Sequence, residues 1–341
     1  MRRILIDAAV EARAKEFAKA MKGELPGKLD WGKGKTPVEK LKVFYRELRK
    51  DPAYFKHALY VYNIIVLYNN LLILEPRQFM DVYESYFKQW DDILNDGIEY
   101  NGKKEFYKHI IDCMGYAKIR SGLMREYMKD QRIKTCVYCN AQYAITTEEF
   151  KEDGKIKRIG TYQFDHNWPE SKYPFLCTSY FNLQPSCPTC NQTKLQRKAS
   201  FNLYAADATE LDVFRFELTP DKAVSAYVSD DMDKLEVNLK CDSNPELLKN
   251  HQELFHIDLI YAEHIDVVAR VIVVLKGNGD YYRKSLQDGL DELFPNGVED
   301  PGFFFFGYYM KKENVHLQPL SKMVQDVVSQ IESAQKAQKV C

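Results

Sequence analysis

The chain has no apolar run of the roughly 18 residues that a membrane span requires. The longest candidate, Ala58 to Leu74, is broken by Asn63, Asn69 and Asn70. The opening residues, MRRILIDAAVEARAKEF, carry charges every few positions. They lack the apolar core of about 7–15 residues that marks a secretory signal. We therefore expect a cytoplasmic protein with no membrane partner. Charge excess is missing as well: 48 basic against 49 acidic residues leave a net charge of −1. That balance argues against a protein that coats nucleic acid through overall basicity, yet it permits a local basic groove. There is no internal repeat and no low-complexity tract. The Gly277–Asp280 stretch, Gly-Asn-Gly-Asp, lacks the GK[ST] ending of a phosphate loop and reads as a turn.

The rest is ordinary for a globular chain of 341 residues, 45% hydrophobic and 28% charged, long enough for two or three domains. Residues 1–130 read as a mostly helical domain. Helices are expected over Ile6–Met21, Val38–Arg49, Phe55–Leu74, Met80–Leu94 and Lys104–Met128; in the second of these Val38, Leu41, Phe44, Tyr45 and Leu48 form a stripe at helical spacing. Four Gly and two Pro between Lys22 and Pro37 predict a loop. In residues 131–200 the composition changes to closely spaced Cys, Gly, Pro and Asn. Strands are expected over Lys157–Phe164 and Asn182–Gln184, then a helix from Pro188 or Cys190 to Lys198. Residues 201–341 read as mostly helical again. Weak strands fall at Leu211–Leu218 and Lys234–Leu239, one or two helices at Pro245–Leu275, another at Tyr281–Leu293, and a final amphipathic helix at Pro319–Ala337 that packs on its own chain. The expected fold class is α+β and mostly helical, a small core with helical flanks.

Two CxxC pairs stand out, Cys136/Cys139 and Cys187/Cys190. A CxxC turn aims both sulfurs at one point, so two such turns complete a tetrahedral thiolate site at about 2.3 Å per Zn–S bond. Zinc suits four thiolates, and in a reducing compartment paired cysteines suggest metal before disulfides. The 47 residues between the pairs exceed the roughly 15–20 of a compact zinc ribbon, so the gap must hold structure of its own. Four protein ligands leave no open position, which makes the expected zinc structural. Two unrelated cysteine pairs are the alternative. Cys113, Cys177, Cys241 and Cys341 have no partner at ligand spacing and read as free thiols. His251, His256 and His264 do not share a helical turn and read as ordinary helix residues.

Between the pairs run Phe164-Asp165-His166-Asn167-Trp168-Pro169, Phe181-Asn182-Leu183-Gln184-Pro185-Ser186 and Cys190-Asn191-Gln192-Thr193-Lys194. Phosphodiester hydrolysis requires an activated water and a cation at the scissile phosphate. A strand-end His takes the proton of water at neutral pH. Asp165 beside it and the Asn191 carbonyl offer hard oxygens for Mg²⁺ or Mn²⁺. Lys194, one turn later, is placed to meet a phosphate. Each residue alone has a bland reading, a turn, a cap or a solvated charge; their order inside a two-CxxC frame carries the weight.

At these residues the sequence resembles the HNH, or ββα-metal, nuclease family in its zinc-bearing branch. The resemblance spans about Cys136 to Lys198, under a fifth of the chain. It implies a ββα-metal core with His166 as general base and Asp165 and Asn191 as ligands of the catalytic cation. It gives Asn182 the task of orienting the base or shaping the loop. Around these residues the charge is more basic than the chain average, with Arg132, Lys134, Lys155, Lys157, Arg158, Lys194, Arg197 and Lys198; phosphate contacts are expected from Lys194, Arg197 and Lys198, a solvated surface being the alternative. The expected substrate is DNA, with RNA, including tRNA, as the alternative, since the sequence shows no base-reading element that decides; the rival from another class is a zinc-stapled module that binds without cutting. More loosely, Phe303–Phe306 followed by His316-Leu-Gln-Pro-Leu-Ser-Lys-Met-Val-Gln-Asp resembles the tail of HNH effectors in bacterial anti-phage defence systems of the Septu and retron type. That resemblance implies control by a partner ATPase or sensor.

Overall fold

Apolar residues at helical spacing recur along the chain, and the computed structural model is accordingly α+β and mostly helical, every sheet among the described residues having two strands. It describes residues 1–31, 35–151, 156–229, 231–277 and 280–340. Among these no helix is long and apolar enough to cross a membrane. Contacts gather the chain into two units that interleave in sequence. One comprises Arg3–Gln131 and Ile145–Leu211, the other Met1–Arg2, Arg132–Ala144 and Asp212–Cys341.

The first unit opens with β1 (Ile4–Leu5), which pairs in parallel with β8 (Tyr204–Ala205). Its helices are α1 (Ala8–Met21), α2 (Pro37–Leu48), α3 (Phe55–Leu72), α4 (Phe79–Tyr86), α5 (Phe106–Met114), α6 (Tyr116–Ile119) and α7 (Leu123–Asp130). Local chemistry sets their starts. Asp7 caps α1 by accepting the Val10 amide at 2.8 Å. Thr36 and Glu39 form a capping box at α2, with Pro37 at its first position. The expected helix over Lys104–Met128 is broken. Residues 103–105 pair as β3 (Lys103–Glu105) with β2 (Gly97–Glu99), and Gly115 at φ +76° ends α5. Only glycine fits there, because a Cβ would stand 2.8 Å from the Trp31 ring.

The expected strand over Lys157–Phe164 is two strands. β5 (Ile156–Gly160) pairs with β4 (Thr146–Phe150). At Thr161 the hydroxyl accepts the Ile145 amide, one step beyond the Thr146–Gly160 end of that pairing. The chain then turns, and β6 (Gln163–His166) pairs instead with β7 (Leu183–Ser186). Helix α8 (Pro188–Lys194) follows β7 and stops four residues short of the expected end, where Leu195 takes φ +51°.

The second unit holds the antiparallel pair β9 (Arg215–Leu218) and β10 (Val237–Lys240). Its helices are α9 (Pro220–Ser229), α10 (Pro245–Phe255), α11 (Ile257–Ala262), α12 (Ile265–Gly277), α13 (Asp280–Leu293), α14 (Gly302–Phe306) and α15 (Ser321–Val340). The stretch Pro245–Leu275 is thus three helices, the first break lying at His256 with φ +50°. The turn expected at Gly277–Asp280 falls on 278–279, outside the described residues. The apolar stripe of α15 is buried at Met323, Val324, Val327 and Val328. Its polar residues meet β9: Asp326 accepts the Phe216 amide at 2.8 Å, and the Gln330 side chain bonds both backbone groups of Leu218. Asn140 caps α15 from the 132–144 turn, its carbonyl accepting Leu320 N–H and its side-chain oxygen Lys322 N–H.

Candidate metal centre and active-site pocket

The sulfurs of Cys136, Cys139, Cys187 and Cys190 all lie within 4.8 Å of one another, and all four residues are buried. A tetrahedral zinc with bonds of about 2.3 Å sets its sulfurs about 3.8 Å apart, so the cluster fits that ion. Backbone donors support it. Ala141 N–H donates to Cys139 Sγ and Cys190 N–H to Cys187 Sγ, each at 3.4 Å. Cys187 is also the N-cap of α8, its sulfur standing where a capping oxygen usually stands. Four soft donors in a buried cluster suit a structural metal such as zinc. Cys113, Cys177 and Cys241 are buried thiols away from it; burial raises the first to about 12 and the second well above the ordinary thiol range. Cys341 lies outside the described residues.

The second feature is a cavity of about 610 Å³ in the first unit. Asp165, His166 and Asn191 line it together with Tyr116, Arg120 and Glu170. Asp165 and His166 are neighbours at the end of β6, so their side chains leave opposite faces of the strand. Asp165 turns toward α8, where the Lys194 ammonium donates to its Oδ1 at 3.1 Å. His166 turns toward Tyr116, whose ring lies 4.5 Å from the imidazole. Nε2 of His166 lies 2.9 Å from the Cys177 carbonyl. A carbonyl only accepts, so Nε2 carries the proton and Nδ1 is left with the lone pair. Burial lowers His166 to about 4, which keeps that lone pair unprotonated at neutral pH. Glu170 Oε2 lies 3.4 Å from Nδ1. Burial raises the Glu170 carboxyl, and the charge of Arg120 partly reverses the effect.

Asn182 lines no part of the cavity. It is fully buried and fastens the loop between β6 and β7: its Oδ1 accepts Trp168 N–H at 2.8 Å, and its Nδ2 donates to the carbonyls of Trp168 and Leu176 at 3.1 Å each. Asn191 is half-buried on the cavity wall, its amide donating to Gln163. Lys194 points inward, fully buried, bonding the His166 carbonyl at 2.7 Å as well as Asp165. That is a different place from the surface position expected of a phosphate contact. Arg197 folds back onto the carbonyls of Thr193 and Lys194, and Lys198 sits 3.5 Å over the Trp168 ring. None of these three lines the cavity.

The wider basic surround is largely matched by acids. Arg132 pairs with Glu299, Lys157 with Glu149, and Arg158 with Glu126 and Glu148. Lys155 is outside the described residues. The cations on the cavity wall are Arg120 and Arg125, which carried no motif in the sequence. No family model, curated protein or solved structure matches this chain.

Proposed function

We propose that the chain is a metal-dependent endonuclease of HNH type that hydrolyses phosphodiester bonds, with DNA as the leading substrate and RNA as the alternative. One observation carries the reading. His166 is pinned through Nε2 to the Cys177 carbonyl, which leaves Nδ1, 3.4 Å from Glu170 Oε2, as its basic nitrogen, and the residue lines one cavity with Asp165, Asn191 and Glu170. Nδ1 accepts a proton from water, and the resulting hydroxide bonds to phosphorus as the P–O bond to the leaving oxygen breaks; that oxygen takes up a proton from solvent, and the imidazolium returns its own to solvent. The Tyr116 ring and the Cys177 carbonyl hold the imidazole in place during the transfer. Asp165 and Asn191 offer oxygen donors on the same wall for Mg²⁺ or Mn²⁺, which when bound supplies charge neutralisation at the phosphate and leaving oxygen. Lys194 holds Asp165 in position, and Asn182 holds the loop that carries the Cys177 carbonyl. Zinc in the four-cysteine cluster would have a structural task, fixing the start of α8 and with it Asn191. Control by a partner ATPase or sensor, in the setting of anti-phage defence, rests on the resemblance of the C-terminal tail.

Incubation with plasmid DNA and with total RNA, in Mg²⁺, Mn²⁺ or chelator, tests the reading beside His166→Ala. Loss of a positioned general base lowers cleavage by about 10²–10⁴-fold. Equal cleavage by the variant, with its zinc content and folding unchanged, would sink the assignment.

A further inference from the structure

The cavity wall carries two arginines, and their surroundings differ. Arg125, on α7, donates through a terminal nitrogen to the Arg158 carbonyl at 2.8 Å, and its Nε is buried. It is built into the wall and supports β5. Arg120, at the C-terminal end of α6, is exposed. Among the described residues no carboxylate lies within ion-pair distance of it, whereas Arg132, Lys157, Arg158 and Lys194 each have an acidic partner. Its guanidinium stands 5.8 Å from the centre of the Tyr116 ring. Tyr116 is itself fixed: its hydroxyl donates to the Phe164 carbonyl at 3.0 Å, and its ring packs on His166. One rigid aromatic side chain therefore sets the distance between the candidate base and an exposed cation that has no carboxylate at ion-pair distance among the described residues, although its charge acts on Glu170.

We infer that Arg120 is the phosphate-binding residue of this cavity, holding a backbone phosphate of a nucleic-acid strand beside the bond that faces His166. Guanidinium is suited to this because its planar fork meets two phosphate oxygens at once. Glu170 lies on the same wall and limits how much negative charge the cavity accepts, so a single phosphate at Arg120 fits better than a run of them. This rests on the nuclease reading for what happens to the strand, but the phosphate contact itself does not require cleavage.

The test separates the two. In the His166→Ala background, binding of a short fluorescent DNA strand, its duplex and the matching RNA is followed by anisotropy over a range of salt. Removing one phosphate contact lowers the slope of log K against log salt by about 0.7 for a single strand and about 0.9 for a duplex. Adding Arg120→Ala should lower the slope by that amount and weaken binding about tenfold. Arg120→Lys should keep the slope and recover part of the affinity. Arg46→Ala, at an exposed arginine of α2 away from the cavity, should change neither. In the catalytic background Arg120→Ala should raise KM more than it lowers kcat. An unchanged slope with Arg120→Ala, or an equal change with Arg46→Ala, overturns the inference whether or not the protein cleaves. A lowered slope in a protein that never cleaves upholds the phosphate site and counts against the nuclease reading alone.

Discussion

At the scale of single residues, position in a motif and direction of a side chain are separate facts. Asp165, His166 and Asn191 are close in the pattern and share one cavity. Lys194 belongs to the same pattern but faces the interior. Its spacing holds the reason: it follows Cys190 by four positions, so both lie on one face of α8, and Cys190 is buried. Arg120 carries no motif and lies 45 positions before Asp165, so only the folded chain brings it to the wall. The Lys194–Asp165 pair also has an energetic consequence. Both groups are almost wholly removed from water, at 0% and 4% side-chain exposure. Burial lowers the Lys194 pKa while Asp165 opposes the shift, as expected of a charge that depends on its partner. Deleting one member of a buried pair leaves the other uncompensated, at about 3–5 kcal/mol. Lys194→Met should therefore unfold at a markedly lower urea concentration than the parent, with Asp165→Asn/Lys194→Met recovering part of the loss. A parent-like midpoint for the single variant would show that the pair contributes little.

At the scale of elements, the local pattern located most helices and missed what interrupts them. The stripe of α2 and the apolar run of α3 are visible in the sequence because their own side chains make the core. Gly115 is visible too, but its neighbour Trp31 is far away in the chain, so the close approach that demands glycine is not. The β4 strand, Thr-Thr-Glu-Glu-Phe, has no apolar alternation, since its ordering comes from pairing with β5 and from ion pairs such as Glu148 with Arg158. The cysteine spacing, by contrast, led straight to the cluster, because metal ligands must converge whatever lies between them. α8 has only seven residues, too few for a stable isolated helix. Its start is organised by Cys187 and Cys190, so we expect metal to matter for its order. The purified protein should hold one zinc per chain by elemental analysis. Cys190→Ser should lower that content and the melting temperature together, as should a strong chelator in the parent. Unchanged melting in a zinc-free protein would remove the structural role from the cluster.

At the scale of the whole molecule, the units are made by pairings that local patterns cannot contain. Composition divides the chain into three consecutive stretches, whereas contacts join Ile4–Leu5 to Tyr204–Ala205 in one unit and the 132–144 turn to Leu320 and Lys322 in the other. The second unit also encloses two histidines that bear on its stability. His251 donates through Nε2 to the Tyr138 carbonyl and His316 to the Arg2 carbonyl, each at 2.9 Å. Burial is the first cause that lowers both to about 3, from an ordinary value of 6.5. Between those values the unfolded chain binds protons that the folded chain does not. The stability these two histidines contribute is therefore fully present above about pH 6.5 and is lost as pH drops toward 3, by up to about 1.4 kcal/mol per pH unit for each; the buried N-terminal amine, lowered to about 5, adds a loss that begins nearer pH 8. Urea unfolding followed from pH 8 to pH 4 should show that decline below 6.5. Acid also releases zinc from thiolates, so the decline alone does not identify the histidines. His316→Gln separates the causes, because it removes one titrating group and leaves the cysteines in place. Its stability at pH 8 should be lower, through the altered packing, while its slope below pH 6.5 should be shallower by up to about 1.4 kcal/mol per unit. A slope equal to the parent's would remove His316 from the acid sensitivity and leave it to the other buried titrating groups and the metal centre.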